Sequence, residues 1–132
     1  MNNMRVRVSA RTDEELYLRT WKMAQADSPW FQYTGPFAPN LKDELDATRT
    51  ALRDPDSKCL IAIDEGKAIG VLACRRVDEL ARLGSGDREP AVIPDHRQTP
   101  AGVKLLDAAY ELSIGAGLAG VFAILKLPPE AD

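Results

Sequence analysis

Apolar and polar positions alternate at the start of the chain. Val6 and Val8 interleave with Arg5 and Arg7, a period of two that predicts a short strand with one buried face. The period then lengthens. Thr12-Asp13-Glu14-Glu15 has the spacing of a capping box, with Thr12 as the cap and Glu15 returning the bond. Tyr17, Trp21 and Ala24 follow on one helical face, with Leu16 and Met23 beside them, to about residue 26. Asp27-Ser28-Pro29 ends this helix, and residues 30–39 read as an aromatic loop rich in Pro and Gly. Asn40 is placed to cap a second helix carrying Leu41, Leu45, Thr48 and Leu52, which Asp54-Pro55 closes.

Two apolar runs, 58–63 and 67–76, flank Asp64-Glu65-Gly66 and predict a hairpin with Gly where positive φ is cheap. With the turn at Glu65-Gly66, Cys59 faces Leu72 and Cys74 lies one step along the same face, so both thiols are expected in one core layer. Residues 77–90 are polar and without period. Ala91-Val92-Ile93 is a short strand stopped by Pro94. A helix then runs from about Ala101 to Ile114 with Val103, Leu106, Tyr110 and Ile114 along one stripe, and Gly115 and Gly117 as candidate C-caps. Residues 120–127 read as a buried strand. The order β-α-α-β-β-β-α-β, with no repeat and no linker, predicts one α/β domain with a mixed sheet across residues 1–132.

Composition narrows the function classes. A chain of 132 residues buries roughly 68% of its unfolded surface, enough for a core. Its 17 Lys and Arg against 20 Asp and Glu leave a net charge of −3, without the basic balance of a general nucleic-acid binder. No apolar run approaches the ~20 residues of a membrane-spanning helix, and the N-terminus lacks a signal-peptide core. Two cysteines and one histidine fit no zinc spacing, so no metal is expected. These features predict a soluble, cytoplasmic protein with reduced thiols.

The segment from Val92 to Gly102, continued by Val103-Lys104-Leu105-Leu106, is a strand, a tight turn and a helix start. That arrangement aims backbone N–H groups and the positive helix end at one spot, which suits a pyrophosphate, with Arg97 and Lys104 adding charge. A plain helix cap is the other reading of the same pattern.

The run VIPDHRQTPAGVKLLDAAYELSIGAGLAGVFAIL resembles the acetyl-CoA-binding motif of the GNAT superfamily of N-acetyltransferases: apolar-x-Pro-x-x-Arg, x-x-Gly-x-Gly, Leu-Leu, small residues, a Gly and an apolar strand. The likeness is closest over residues 91–126, and CLIAIDEGKAIGVLACRR is similar to the second and third strands of that family. The resemblance implies acetyl-CoA as co-substrate. Arg97 would begin the phosphate loop, and Gln98, Thr99, Ala101, Gly102 and Val103 would offer N–H groups to the pyrophosphate. Ala91, Val92 and Ile93 would pair with the pantetheine arm. The amine would approach under the loop 27–39, where Trp30, Phe31 and Tyr33 are candidate pocket residues, or else plug one end of the core.

Two departures stand out. Pro100 occupies the first loop Gly and has no N–H, although it suits the first turn of a helix. The chain also stops after the strand 120–127, where the family adds a helix and two strands, so a C-terminally truncated GNAT-like fold is expected. Acyl transfer needs a neutral amine, and Glu89, near Asp87, is the candidate base, with a solvated loop acid as its plainer reading. His96 reads as a turn residue.

The implied activity is N-acyl transfer, moving acetyl from acetyl-CoA to a primary amine by direct attack. The alternative is a catalytically degenerate module with a binding or structural role. The expected partner is a small-molecule or peptide amine, with no nucleic acid and no membrane. The apolar strand 120–127 predicts a homo-oligomer, or pairing with a segment that completes the sheet.

Overall fold

The computed structural model describes residues 4–26, 40–55, 57–77, 82–84, 90–115 and 121–122. Along the chain run β1 (Arg5–Val8), α1 (Glu14–Ala24), α2 (Leu41–Arg53), β2 (Ser57–Asp64), β3 (Lys67–Val77), β4 (Arg82–Gly84), β5 (Ala91–Val92), α3 (Ala101–Gly115) and β6 (Val121–Phe122). The sheet order is β1-β2-β3-β4-β6, with β5 also on β3; every pairing is antiparallel except β4 with β6. The α/β class and the mixed sheet are as the sequence predicts. The strand β4 is additional. It falls in the polar stretch without period, and its three residues are strand because β3 pairs with them.

Local chemistry sets most boundaries. Asn40 Oδ1 accepts from the N–H groups of Lys42 at 2.9 Å and Asp43 at 3.3 Å, capping α2 as its sequence predicts. The start of α1 differs. A single 3-10 turn, Arg11–Asp13, precedes it, and Asp13 rather than Thr12 supplies the local bond, accepting from Ala10 N–H at 2.7 Å. Arg7 reinforces that choice by donating to both Asp13 oxygens, at 2.6 and 3.1 Å. The β2–β3 turn has φ of 51° at Glu65 and 81° at Gly66. Positive φ at both central positions matches the right-handed twist of the flanking strands.

The hairpin register breaks once. Ile63 pairs with Ala68 but Ala62 pairs with Gly70, leaving one extra residue on β3. Beyond this bulge Cys59 stands opposite Ala73, not Leu72. A one-residue slip exchanges the two faces of a strand. Leu72 and Cys74 therefore pack with Leu60, Ala62 and Leu105, whereas Cys59, Val71 and Ala73 pack with Tyr17 and Trp21. The two thiols occupy opposite core layers, which corrects the same-face expectation.

Those layers position the helices: α1 and α2 cover one face of the sheet and α3 the other. On α3 the sheet-facing row is Ala101, Leu105, Ala109 and Ser113. The stripe of larger residues points outward, with Val103 61% and Tyr110 50% exposed. Small residues allow the helix to approach closely, so the row nearest the sheet is not the most apolar one.

Candidate active site

The site grows from the link between β5 and α3. Gly70 pairs with Val92 and Val71 with Ala91, while Ile93 N–H donates to Ile69 O at 2.9 Å. In an antiparallel ladder this makes 71/91 and 69/93 the hydrogen-bonded pairs. Ala91 and Ile93 thus direct their amides at β3, and the peptide groups of Val92 face away from it. Ile93 O is also engaged, accepting from His96 N–H at 3.0 Å.

A second 3-10 turn, Pro94–His96, then reverses the chain. Arg97 N–H reaches Pro94 O at 3.4 Å, and Thr99 donates twice to His96 O, from its N–H at 3.1 Å and from its hydroxyl. The first helical bond of α3 runs from Lys104 N–H to Pro100 O at 2.9 Å, so Pro100 is the cap. Ala101 N–H meets Thr99 Oγ1 at 3.4 Å. No described residue accepts from the N–H groups of Gln98, Gly102 or Val103. The latter two are first-turn donors of a 15-residue helix, which no intrahelical carbonyl can satisfy. A Cβ on Gly102 would meet nothing within 4 Å, so packing does not require glycine there. Pointed donors, open space and a positive helix end together suit an anion.

Arg97 behaves differently from its expected place at the phosphates. Its Nε donates to Val92 O at 3.1 Å and its Nη2 to Ala24 O, the last carbonyl of α1, at 2.8 Å. The guanidinium ties three elements together. His96 is half-buried, with Nε2 3.6 Å from Asp64 Oδ2 at the end of β2, and its buried Nδ1 has no partner among the described residues. Neither Ala24 nor Asp64 is signalled in the sequence, because each joins the site from a distant part of the chain.

Other candidates sort plainly. Cys59 and Cys74 are buried thiols. Burial, and then the neighbouring Cys59, push the Cys74 thiol up to about 12, the reverse of what a nucleophile needs. Glu89, Asp87, Trp30, Phe31 and Tyr33 lie outside the described residues. Among the described residues no group of three or more His, Cys, Asp or Glu could hold a metal ion, and no helix is long and apolar enough to cross a membrane. A cavity of about 400 Å³, lined by Ala10, Arg11, Glu14, Leu52 and Arg53, sits at the opposite end of α1 from the Arg97 contact.

Residues 17–127 match the family model of the acetyltransferase (GNAT) family. No curated protein matches the chain by sequence. Several solved structures share the fold. An aminoglycoside acetyltransferase, meta-AAC0020, from an uncultured soil metagenomic sample and in complex with sisomicin, is 16% identical with a TM-score of 0.66, over 96% of this chain and 78% of that one. Aminoglycoside N-acetyltransferase AAC(6')-Iy in complex with CoA is 18% identical with a TM-score of 0.67, over 98% and 80%. A ribosomal-protein-alanine N-acetyltransferase from Brucella melitensis biovar Abortus 2308 is 14% identical with a TM-score of 0.68, over 96% and 83%.

Proposed function

The chain belongs to the GNAT acetyltransferase family, and on that premise we propose that it is an N-acyltransferase moving an acetyl group from acetyl-CoA to a primary amine by direct attack. The observation that carries this reading is the start of α3. The N–H groups of Gln98, Gly102 and Val103 have no acceptor among the described residues, beside an open Gly102 and one turn from the outward-facing Val92 peptide. These donors fit a pyrophosphate, and the Val92 N–H, outward-facing while Val92 O accepts from Arg97, fits a carbonyl of the pantetheine arm. The thioester then lies near the end of β5, and the protein contributes chiefly orientation. Glu89 is the proposed base that keeps the amine neutral, and Trp30, Phe31 and Tyr33 are the proposed acceptor pocket. We place the protein in the cytoplasm and assign it a small-molecule or peptide amine as acceptor. Its β6 edge would pair with a second copy or with a segment completing the sheet.

The alternative, a degenerate module with a binding or structural role, draws on two observations. Pro100 offers no N–H, and the Arg97 guanidinium is engaged by two carbonyls. Calorimetric titration with acetyl-CoA separates the readings, and Gly102→Ala is the informative variant. Alanine within a helix is favoured over glycine by roughly 0.5–1 kcal/mol, so the variant should fold as well as wild type. Its methyl group would nonetheless stand where the phosphates approach. Micromolar binding by wild type, weakened about tenfold (1.4 kcal/mol) in the variant, is the expected result. No heat at millimolar acetyl-CoA leaves the non-catalytic module.

A further inference from the structure

We infer that Arg97 is a positioning residue that couples the cofactor turn to the end of α1. The inference rests on the reading of α3 as the acetyl-CoA site. Three observations support it.

The first is the geometry of the guanidinium. Nε holds Val92 O and Nη2 holds Ala24 O, so the guanidinium adds a polar tie between two elements whose side chains Ala91 and Ala24 already share one core cluster. Arg97 stands 73 residues from Ala24 in sequence, in the turn that leads to α3, yet α1 and α3 cover opposite faces. From the turn before α3, the side chain thus bonds both β5 and the end of α1.

The second is the carbonyl it chooses. At the C-terminus of α1, Gln25 N–H reaches Trp21 O and Lys22 O, and Ala26 N–H reaches Met23 O. Ala24 O is the terminal carbonyl, one that a helix cannot satisfy itself, and Arg97 supplies the donor. A fixed positive charge there also complements the negative end of the helix.

The third is the position of Arg97 within the turn. Its own N–H bonds Pro94 O, and the next residue is Gln98, the first of the donors open to an anion. A ligand seated on Gln98, Gly102 and Val103 orders the turn, and Arg97 transmits that order to α1. Lysine cannot replace it, because a single ammonium lacks the planar fork that spans both carbonyls.

Hydrogen–deuterium exchange of the full chain, with and without CoA, tests the inference in wild type, Arg97→Lys and Arg97→Ala, alongside calorimetric CoA affinity. In wild type, CoA should slow exchange both at 97–105 and at 21–26. In Arg97→Lys the protection at 97–105 should persist and that at 21–26 should vanish. CoA affinity should stay within about threefold, because the backbone donors remain. Without ligand, residues 21–26 of the variant should exchange about tenfold faster, as loss of a charge-assisted hydrogen bond predicts. Ligand protection at 21–26 that survives in Arg97→Lys overturns the coupling. So does a fall in CoA affinity beyond about tenfold, which would place the guanidinium on the phosphates. If wild type binds no CoA, the acetyl-CoA reading fails, while the ligand-free comparison still decides whether Arg97 holds the end of α1. Arg97→Lys is the primary variant, so a folding defect confined to Arg97→Ala leaves the test intact.

Discussion

Leu105 Cδ1 on α3 lies 3.2 Å from where a Cβ on Gly70 of β3 would stand. Ala91 O is at 3.2 Å and Val92 Cγ2 at 3.3 Å from the same point, so helix, β3 and β5 converge on a residue with no side chain. Gly70→Ala should destabilise the protein by about 1–3 kcal/mol through overpacking, reduced by the ~0.4–1 kcal/mol that alanine removes from unfolded-chain entropy. Leu105→Ala, a fully buried truncation, should lose roughly 2–5 kcal/mol. Combined, the two should fall short of their sum, because the shortened side chain makes room for the new methyl group. Urea midpoints measure all three. A Gly70→Ala midpoint equal to wild type would mean that α3 yields without penalty.

The thiols yield a second expectation. Cys74 is held protonated by burial to about 12, against an ordinary value of 9.0. Above pH 9 the unfolded chain loses this proton while the folded chain keeps it. Stability present below pH 9 should therefore fall as the pH rises from 9 towards 12. Cys74→Ala should flatten that alkaline limb. A thiol reagent at pH 8 should label neither cysteine until denaturant is added, and prompt labelling of the native protein would contradict the buried assignment.

At the acid end the carboxylates of Asp13 and Glu14 act in the opposite sense. The Arg7 hydrogen bond and the Ala10 N–H hold Asp13 below its ordinary 3.8, and the Arg53 fork, at 2.8 and 2.9 Å, holds Glu14 below 4.5. Both contribute stability that is present above those ordinary values and lost as the pH falls further. Glu14→Gln should thus narrow the difference in thermal midpoint between pH 7 and pH 3. The same pair ties the start of α1 to the end of α2, so Arg53→Ala should behave alike. An unchanged acid limb in both variants would show that solvent screens the pair completely.

What the sequence determined by itself was whatever depends on neighbours along the chain. The Arg5–Val8 strand, the Asn40 cap, the Glu65-Gly66 turn and the Val92–Gly102 strand, turn and helix start each place their chemistry within a few residues, and each appears where the pattern puts it, although the buried face expected of the first strand fails at Val8, which is 47% exposed. Tertiary structure decided what depends on register, depth and reach. A bulge between Ala62 and Ile63 sent Cys74 to the layer opposite Cys59, because one extra residue inverts a period of two and leaves no mark on composition. Pairing with β3 made a strand of Arg82–Gly84, which has no period of its own. Close approach at Gly70 favoured the row Ala101, Leu105 and Ala109 over the more apolar stripe through Tyr110. Arg97, read along the chain as part of a phosphate loop, directs its guanidinium to Ala24, because only the folded chain brings the unsatisfied end of α1 within 2.8 Å of it.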